Sequence, residues 1–112
     1  MKELKEAFDK KGYLLSAAVS PSKTIIDYAY DVQSLAQNLD WISVMTYDYH
    51  GYWDGKTGHV SPMYKHPEDD FDYFNVVSSN HLIVCTGGTS IFHKRKIQQT
   101  ILVYHQQILL FQ

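Results

Sequence analysis

Residues 41–51 read Trp-Ile-Ser-Val-Met-Thr-Tyr-Asp-Tyr-His-Gly, or WISVMTYDYHG, and the reading of the fold starts from this run. Residues 41–47 are apolar and rich in β-formers, too short for a core helix and long enough for a strand. Along a strand, alternation sets Ser43, Met45 and Tyr47 on one side and Ile42, Val44 and Thr46 on the other. The run ends in a carboxylate, two further aromatic rings and a glycine, which suits a ligand site better than a plain turn.

Upstream of it, VQSLAQNLD at 32–40 places Val32, Leu35, Ala36 and Leu39 on one helical face. Before that, PSKTIIDYAYD at 21–31 reads as a connection with an aromatic insert. YLLSAAVS at 13–20 is a short apolar run stopped at Ser20-Pro21, expected as a strand buried on both faces. At the start, Leu4, Ala7 and Phe8 lie at i, i+3 and i+4, which predicts an amphipathic helix over 2–11 closed by Gly12. Helix, strand, helix, strand in this order predicts an α/β fold with parallel strands. Two strands alone cannot cover both faces of a sheet, so the pattern reads as a slice of a larger sheet or barrel.

The 112 residues have the size of one small domain, and 45% are apolar. The net charge of −2 gives no footprint for nucleic acid, and the sequence shows none of the nucleic-acid-binding modules. That average conceals an asymmetry: residues 1–72 carry all 12 acids, whereas 73–112 carry only Lys94, Arg95 and Lys96. One cysteine, Cys85, excludes an intramolecular disulfide. The stretch MKELKEAFDKKG has no apolar h-region, so no secretory signal is expected within these residues. ILVYHQQILLF at 101–111 is too short and too polar to span a bilayer, and no membrane anchor is expected. From about Ser78 the composition changes to two or three β-prone runs around Thr86-Gly-Gly-Thr89, a segment the sequence alone does not connect to what precedes it.

Chemistry is expected where strands end and loops begin. Tyr47, Asp48, Tyr49, His50 and Trp53 occupy such a place. Structural roles, a satisfied core tyrosine at 47 and a cap at Asp48, are the competing reading. Asp48, His50, His59, His66, Asp69 and Asp70 match no zinc spacing, so no metal is expected. There is no Gly-x-Ser-x-Gly elbow, Cys85 has no evident catalytic partner, and Thr86-Gly-Gly-Thr89 lacks the lysine and spacing of a phosphate loop.

Met45-Thr-Tyr-Asp48, continued by Tyr49-His-Gly51 and Trp53-Asp-x-x-Thr-Gly58-His59, resembles family 18 glycoside hydrolases, in particular the animal and insect chitinases. LKEAFDKKGYLLSAAVS, DYAYDVQSLAQNLDWISVMTYDYHG and HVSPMYKHPEDDFDYFNV extend the likeness over about residues 2–76. The resemblance implies part of a (β/α)₈ TIM barrel around the fifth and sixth strands. Residues 1–77 would then be a partial catalytic domain, and 78–112 an unrelated tail, intron-derived or disordered, or else belonging to a genuine short isoform. It implies hydrolysis of β-1,4-linked N-acetylglucosamine polymers in which the substrate's own acetamide is the nucleophile.

Carried over residue by residue, Tyr47 would bond the acetamide oxygen and Asp48 would position the acetamide and sugar hydroxyls. Met45 would floor the acetamide pocket, and Trp53 would stack on a sugar. The family's general acid ends an Asp-x-x-Asp-x-Asp-x-Glu motif that these residues do not contain; their glutamates are Glu3, Glu6 and Glu68. The expectation is a chitinase fragment inactive alone, with a non-catalytic chitin-binding, chitinase-like protein as the alternative. Its partner would be chitin or a chitooligosaccharide, with no cofactor and no oligomer, in an extracellular setting by resemblance.

Overall fold

The computed structural model describes residues 1–87. Four α-helices and two strands follow one another, α1 (Lys2–Asp9), β1 (Ser16–Val19), α2 (Lys23–Ala29), α3 (Val32–Asn38), β2 (Trp41–Val44) and α4 (Val76–Gly87), with a 3₁₀ turn at Tyr52–Asp54 before the last. The strands pair in parallel, with Ser16 opposite Trp41 and Val19 opposite Val44. Two parallel strands require a crossover, and α2 and α3 supply it.

One face of the pair carries the core. Val19, Ile42 and Val44 pack with Ile26 of α2, Val32 of α3, Leu39 just beyond it and Ile83 of α4. Ile26, Leu39, Val44 and Ile83 are fully buried. On the other face, Ser16 and Ala18 are exposed, and Trp41 and Ser43 are half-buried. The expectation of strands buried on both faces is therefore corrected: β1 and β2 alternate, with helices covering one side only. The division of β2 into Ile42-Val44-Thr46 and Ser43-Met45-Tyr47 follows the predicted alternation, the first set buried and the second half-buried.

The helices at 2–11 and 32–40 are present with slightly shorter bounds. Gly12 at φ 69° turns the chain after α1, and Lys5 bridges Asp9 at 2.6 Å and Asp40 at 2.9 Å. Asp9 first and then Asp40, as hydrogen-bonding carboxylates, hold the Lys5 ammonium above its ordinary range. At the start of α3, Asp31 accepts the Ser34 amide at 3.0 Å, the usual satisfaction of a first-turn N–H.

Three elements differ from expectation. The first strand is Ser16–Val19 and not 13–20, since Tyr13 and Leu14 lie exposed before it. Residues 23–29, read as a connection, form α2: the β-branched Thr24, Ile25 and Ile26 lower its intrinsic propensity, but burial of Ile26 and the Lys23–Asp27 pair one turn apart favour it. Finally, Ser78–Gly87 are helical and not β-prone runs. Val76, Ser79, Ile83 and Gly87 are its buried residues, a helical stripe that the local β-propensity of Leu-Ile-Val obscures. This helix packs on α2 and α3, so the segment is connected to the α/β pattern after all. Gly88 onward, with the rest of the Thr86-Gly-Gly-Thr89 turn and the apolar end at 101–111, lies outside the described residues.

Removing the Ile83 side chain beyond Cβ leaves a cavity where α4 meets the core. Ile83→Ala is expected to lower unfolding free energy by about 2–5 kcal/mol. Val77→Ala, at an exposed position of the same helix, should cost less than about 0.5 kcal/mol. Urea unfolding followed by circular dichroism compares them.

Candidate active-site wall at the end of the second strand

Regular pairing stops at Val44, although the Met45 amide still donates to the Val19 carbonyl at 2.9 Å. The Thr46 amide then donates to Val44 and the Tyr47 amide to Met45, two successive three-residue turns that close the strand. Asp48 follows with φ 60°, alone among the described non-glycine residues in a positive-φ conformation. Asp tolerates that region better than most residues, and strain of this kind concentrates at functional sites. Its side is exposed, while Met45 and Tyr47 are half-buried on the face the helices leave open.

The residues after the reversal run back into the protein. Tyr49 is buried, and its hydroxyl lies 2.7 Å from Ser79 Oγ and 3.1 Å from the Asn75 carbonyl. Tyr49 donates to that carbonyl, and Ser79 Oγ in turn reaches the Pro21 carbonyl at 2.9 Å. This chain of bonds ties the exit of β2 to α4 and to the exit of β1. Burial pushes the Tyr49 phenol above its ordinary value of 10.0, and the Ser79 hydrogen bond partly opposes it. The returning part of the loop is fixed as well: the Tyr49 amide donates to Val60, Ser61 Oγ to Thr46, and the Val76 amide to Pro62.

Trp53 lies in a short 3₁₀ turn, Tyr52–Asp54, and is 60% exposed. Its indole covers Gly51 so closely that a Cβ there would sit 2.4 Å from the ring. Tyr52 meets that indole edge-on, with centroids 5.7 Å apart. The sequence-predicted residues thus fall on two adjoining pieces. Met45, Tyr47 and Asp48 form the strand end, and Trp53 projects from the turn that follows.

Sequence reasoning named His50 and Asp69 but did not pair them. His50 is buried, with Nδ1 3.1 Å from Asp54 and Nε2 3.1 Å from Asp69. Both ring nitrogens are thereby engaged by carboxylates. Among the described residues, no three His, Cys, Asp or Glu side chains are grouped to hold a metal ion. A Cβ on Gly58 would meet the His50 ring at 2.5 Å, so glycine there permits the close approach. Alternating Gly51, Gly55 and Gly58 were the available signal, as glycines in a loop mark close backbone approaches. Glu68, in the same loop, is exposed, as are Glu3 and Glu6 on α1.

Comparison with known proteins gives these features a family. The family model described as Glycosyl hydrolases family 18 matches residues 1–104. The chain is similar to probable chitinase 10 of Drosophila melanogaster, 62% identical over 76 residues, covering 68% of this chain and 3% of that protein. In structure it is similar to catalytic domain 2 of the Ostrinia furnacalis Group II chitinase, with a TM-score of 0.75 and 59% identity over 78% of this chain and 23% of that one. It is also similar to human YKL-39, described as a pseudo-chitinase with retained chitooligosaccharide binding. That match has a TM-score of 0.70 and 36% identity, over 76% of this chain and 26% of the other. The chain therefore spans a small part of the relatives it matches.

Two outcomes follow from the geometry. Gly58→Ala drives a methyl group into the His50 ring and is expected to destabilise the protein by about 1–3 kcal/mol in denaturant unfolding. For Tyr49, the folded state keeps its proton to higher pH than the unfolded chain does. The associated stability is complete below about pH 10 and is lost as pH rises through the folded-state value. Stability measured from pH 9 upward should fall more steeply in the parent than in Tyr49→Phe.

Proposed function

Because the chain belongs to glycosyl hydrolase family 18, we propose that it supplies one wall of a chitin-binding cleft, in which Met45, Tyr47, Asp48 and Trp53 hold N-acetylglucosamine units. The observation that carries this reading is the strand end itself. The half-buried Tyr47 and the exposed, positive-φ Asp48 follow the end of β2, and the exposed Trp53 comes in the turn after them. Rings with both an apolar body and a polar handle suit pyranose faces and their hydroxyls.

In the cleft, the Tyr47 hydroxyl donates to the acetamide oxygen and holds it below the anomeric carbon. The gain is orientation of an internal nucleophile, the setting in which proximity is most effective. The Asp48 carboxylate accepts from the acetamide N–H and a sugar hydroxyl, Met45 floors the acetamide methyl, and Trp53 stacks beneath a neighbouring sugar. A reaction at the glycosidic bond further needs a carboxylic acid at the leaving oxygen. Glu3, Glu6 and Glu68 are exposed and none belongs to an Asp-x-x-Asp-x-Asp-x-Glu motif. In the enzymatic reading the acid stands outside these 112 residues, on a barrel of which β1 and β2 are two strands. A parent protein of this kind would act outside the cell, where chitin is found.

The second reading is a non-catalytic, chitinase-like binder, supported by the likeness to a pseudo-chitinase with retained chitooligosaccharide binding. The two part at one residue: glutamate at the end of that motif in the continuous reading frame supports the enzyme, and glutamine or leucine supports the binder.

General acid–base catalysis contributes roughly 10²–10⁴ in rate, and the 112-residue chain is expected to show no turnover of a fluorogenic chitotrioside. Turnover that Glu68→Gln abolishes would overturn this assignment of the acid.

A further inference from the structure

Between Asp48 and Asn75 the chain has no regular element except the turn Tyr52–Asp54, yet this segment carries the most exposed ring of the proposed site. What holds it is concentrated at His50. The ring is 4% exposed and faces a carboxylate at each nitrogen, Asp54 Oδ2 and Asp69 Oδ1, both at 3.1 Å. Each carboxylate is engaged a second time by the loop backbone. Asp54 Oδ2 accepts the Gly51 amide at 3.0 Å, and Asp69 Oδ2 accepts the His66 amide at 2.7 Å. Phe74 closes the pocket edge-on, its centroid 5.6 Å from that of His50.

Each ring nitrogen meets a carboxylate oxygen, so both polar edges of the ring are engaged by the loop. His50 thus links residues 4 and 19 positions along the chain, and one of them, Asp54, adjoins Trp53 in the same turn. The Gly51 amide on Asp54 closes the same turn, and the indole of Trp53 lies over Gly51.

We propose that His50 is a positioning residue. Clamped between Asp54 and Asp69, it sets the loop that presents Trp53 and thereby sets the affinity for N-acetylglucosamine oligomers. The proposal rests on the chitin-binding reading and extends it to a side chain that need touch no sugar.

The test is a chitotetraose titration of the full 112-residue chain in a Trp41→Phe background, where the emission is that of Trp53 alone. His50→Gln and Asp69→Asn are each expected to weaken binding by roughly tenfold or more, and both should shift the emission of the free chain. The double variant should bind no more weakly than the weaker single one, because both remove the same interaction. A parent that binds while His50→Gln binds within about twofold of it, or losses that add, would overturn the clamp and leave the chitin reading standing. A parent whose Trp53 emission ignores chitotetraose overturns the chitin reading itself and the proposal with it. Should His50→Gln unfold the chain, Asp69→Asn decides, since it keeps an oxygen against the ring; unchanged binding in that variant is contrary to the clamp.

Discussion

A parallel strand pair needs cover, and in this protein one face receives all of it. Ile26, Leu39 and Ile83 close over Val19, Ile42 and Val44. That packing fixes the register of β1 and β2, since a slip by one residue would send Val44 and Ile42 to the open side and Ser43 into the core. With register fixed, Met45 and Tyr47 must emerge on the uncovered face. The site therefore inherits its placement from apolar burial on the far side of the sheet. Fully burying a large aliphatic side chain contributes about 1.5–3 kcal/mol, whereas solvent screens exposed pairs such as Lys56–Asp70. The core, not the surface ion pairs, decides where the site lies.

Beyond the strand, polar contacts take over from apolar ones. Tyr49 turns inward to Ser79 and Asn75, His50 to Asp54 and Asp69, and Asp48 between the strand and these anchors absorbs the reversal with its positive φ. Two inward anchors directly after an outward carboxylate explain why the motif runs Tyr-Asp-Tyr-His-Gly. Under the proposed function its first tyrosine and aspartate face the cleft, while its second tyrosine and histidine hold the loop and its glycine admits the indole.

Much of this was legible in the sequence. The alternation Ile42-Val44-Thr46 against Ser43-Met45-Tyr47 and the helical face of Val32, Ala36 and Leu39 follow from apolar periodicity, whereas the apolar run at 13–20 suggested cover on both faces and the structure covers one. Family membership followed from the motif at 45–59. What periodicity missed lay where tertiary contacts override local preference. Helix α2 carries three β-branched residues in its first turn, Thr24 to Ile26, and is held by Ile26, and α4 runs through Leu-Ile-Val and is held by Ile83. The partners of His50 were out of reach for another reason. Asp69 lies 19 residues away across an irregular loop, and no spacing rule links the two. The sequence reading found no metal spacing among this histidine and its carboxylates and left it without a partner, while the fold sets a carboxylate against each of its nitrogens.

The central claim is that the uncovered end of β2 is a sugar-binding wall, and heteronuclear NMR of the chain titrated with chitotriose tests it most directly. Amide and side-chain shifts concentrated at Met45, Tyr47, Asp48 and Trp53, with Ile26, Leu39 and Ile83 unmoved, are the predicted result. Perturbation confined to the outer helical surface around Lys23, Tyr73 and His81, or none at saturating sugar, would contradict it.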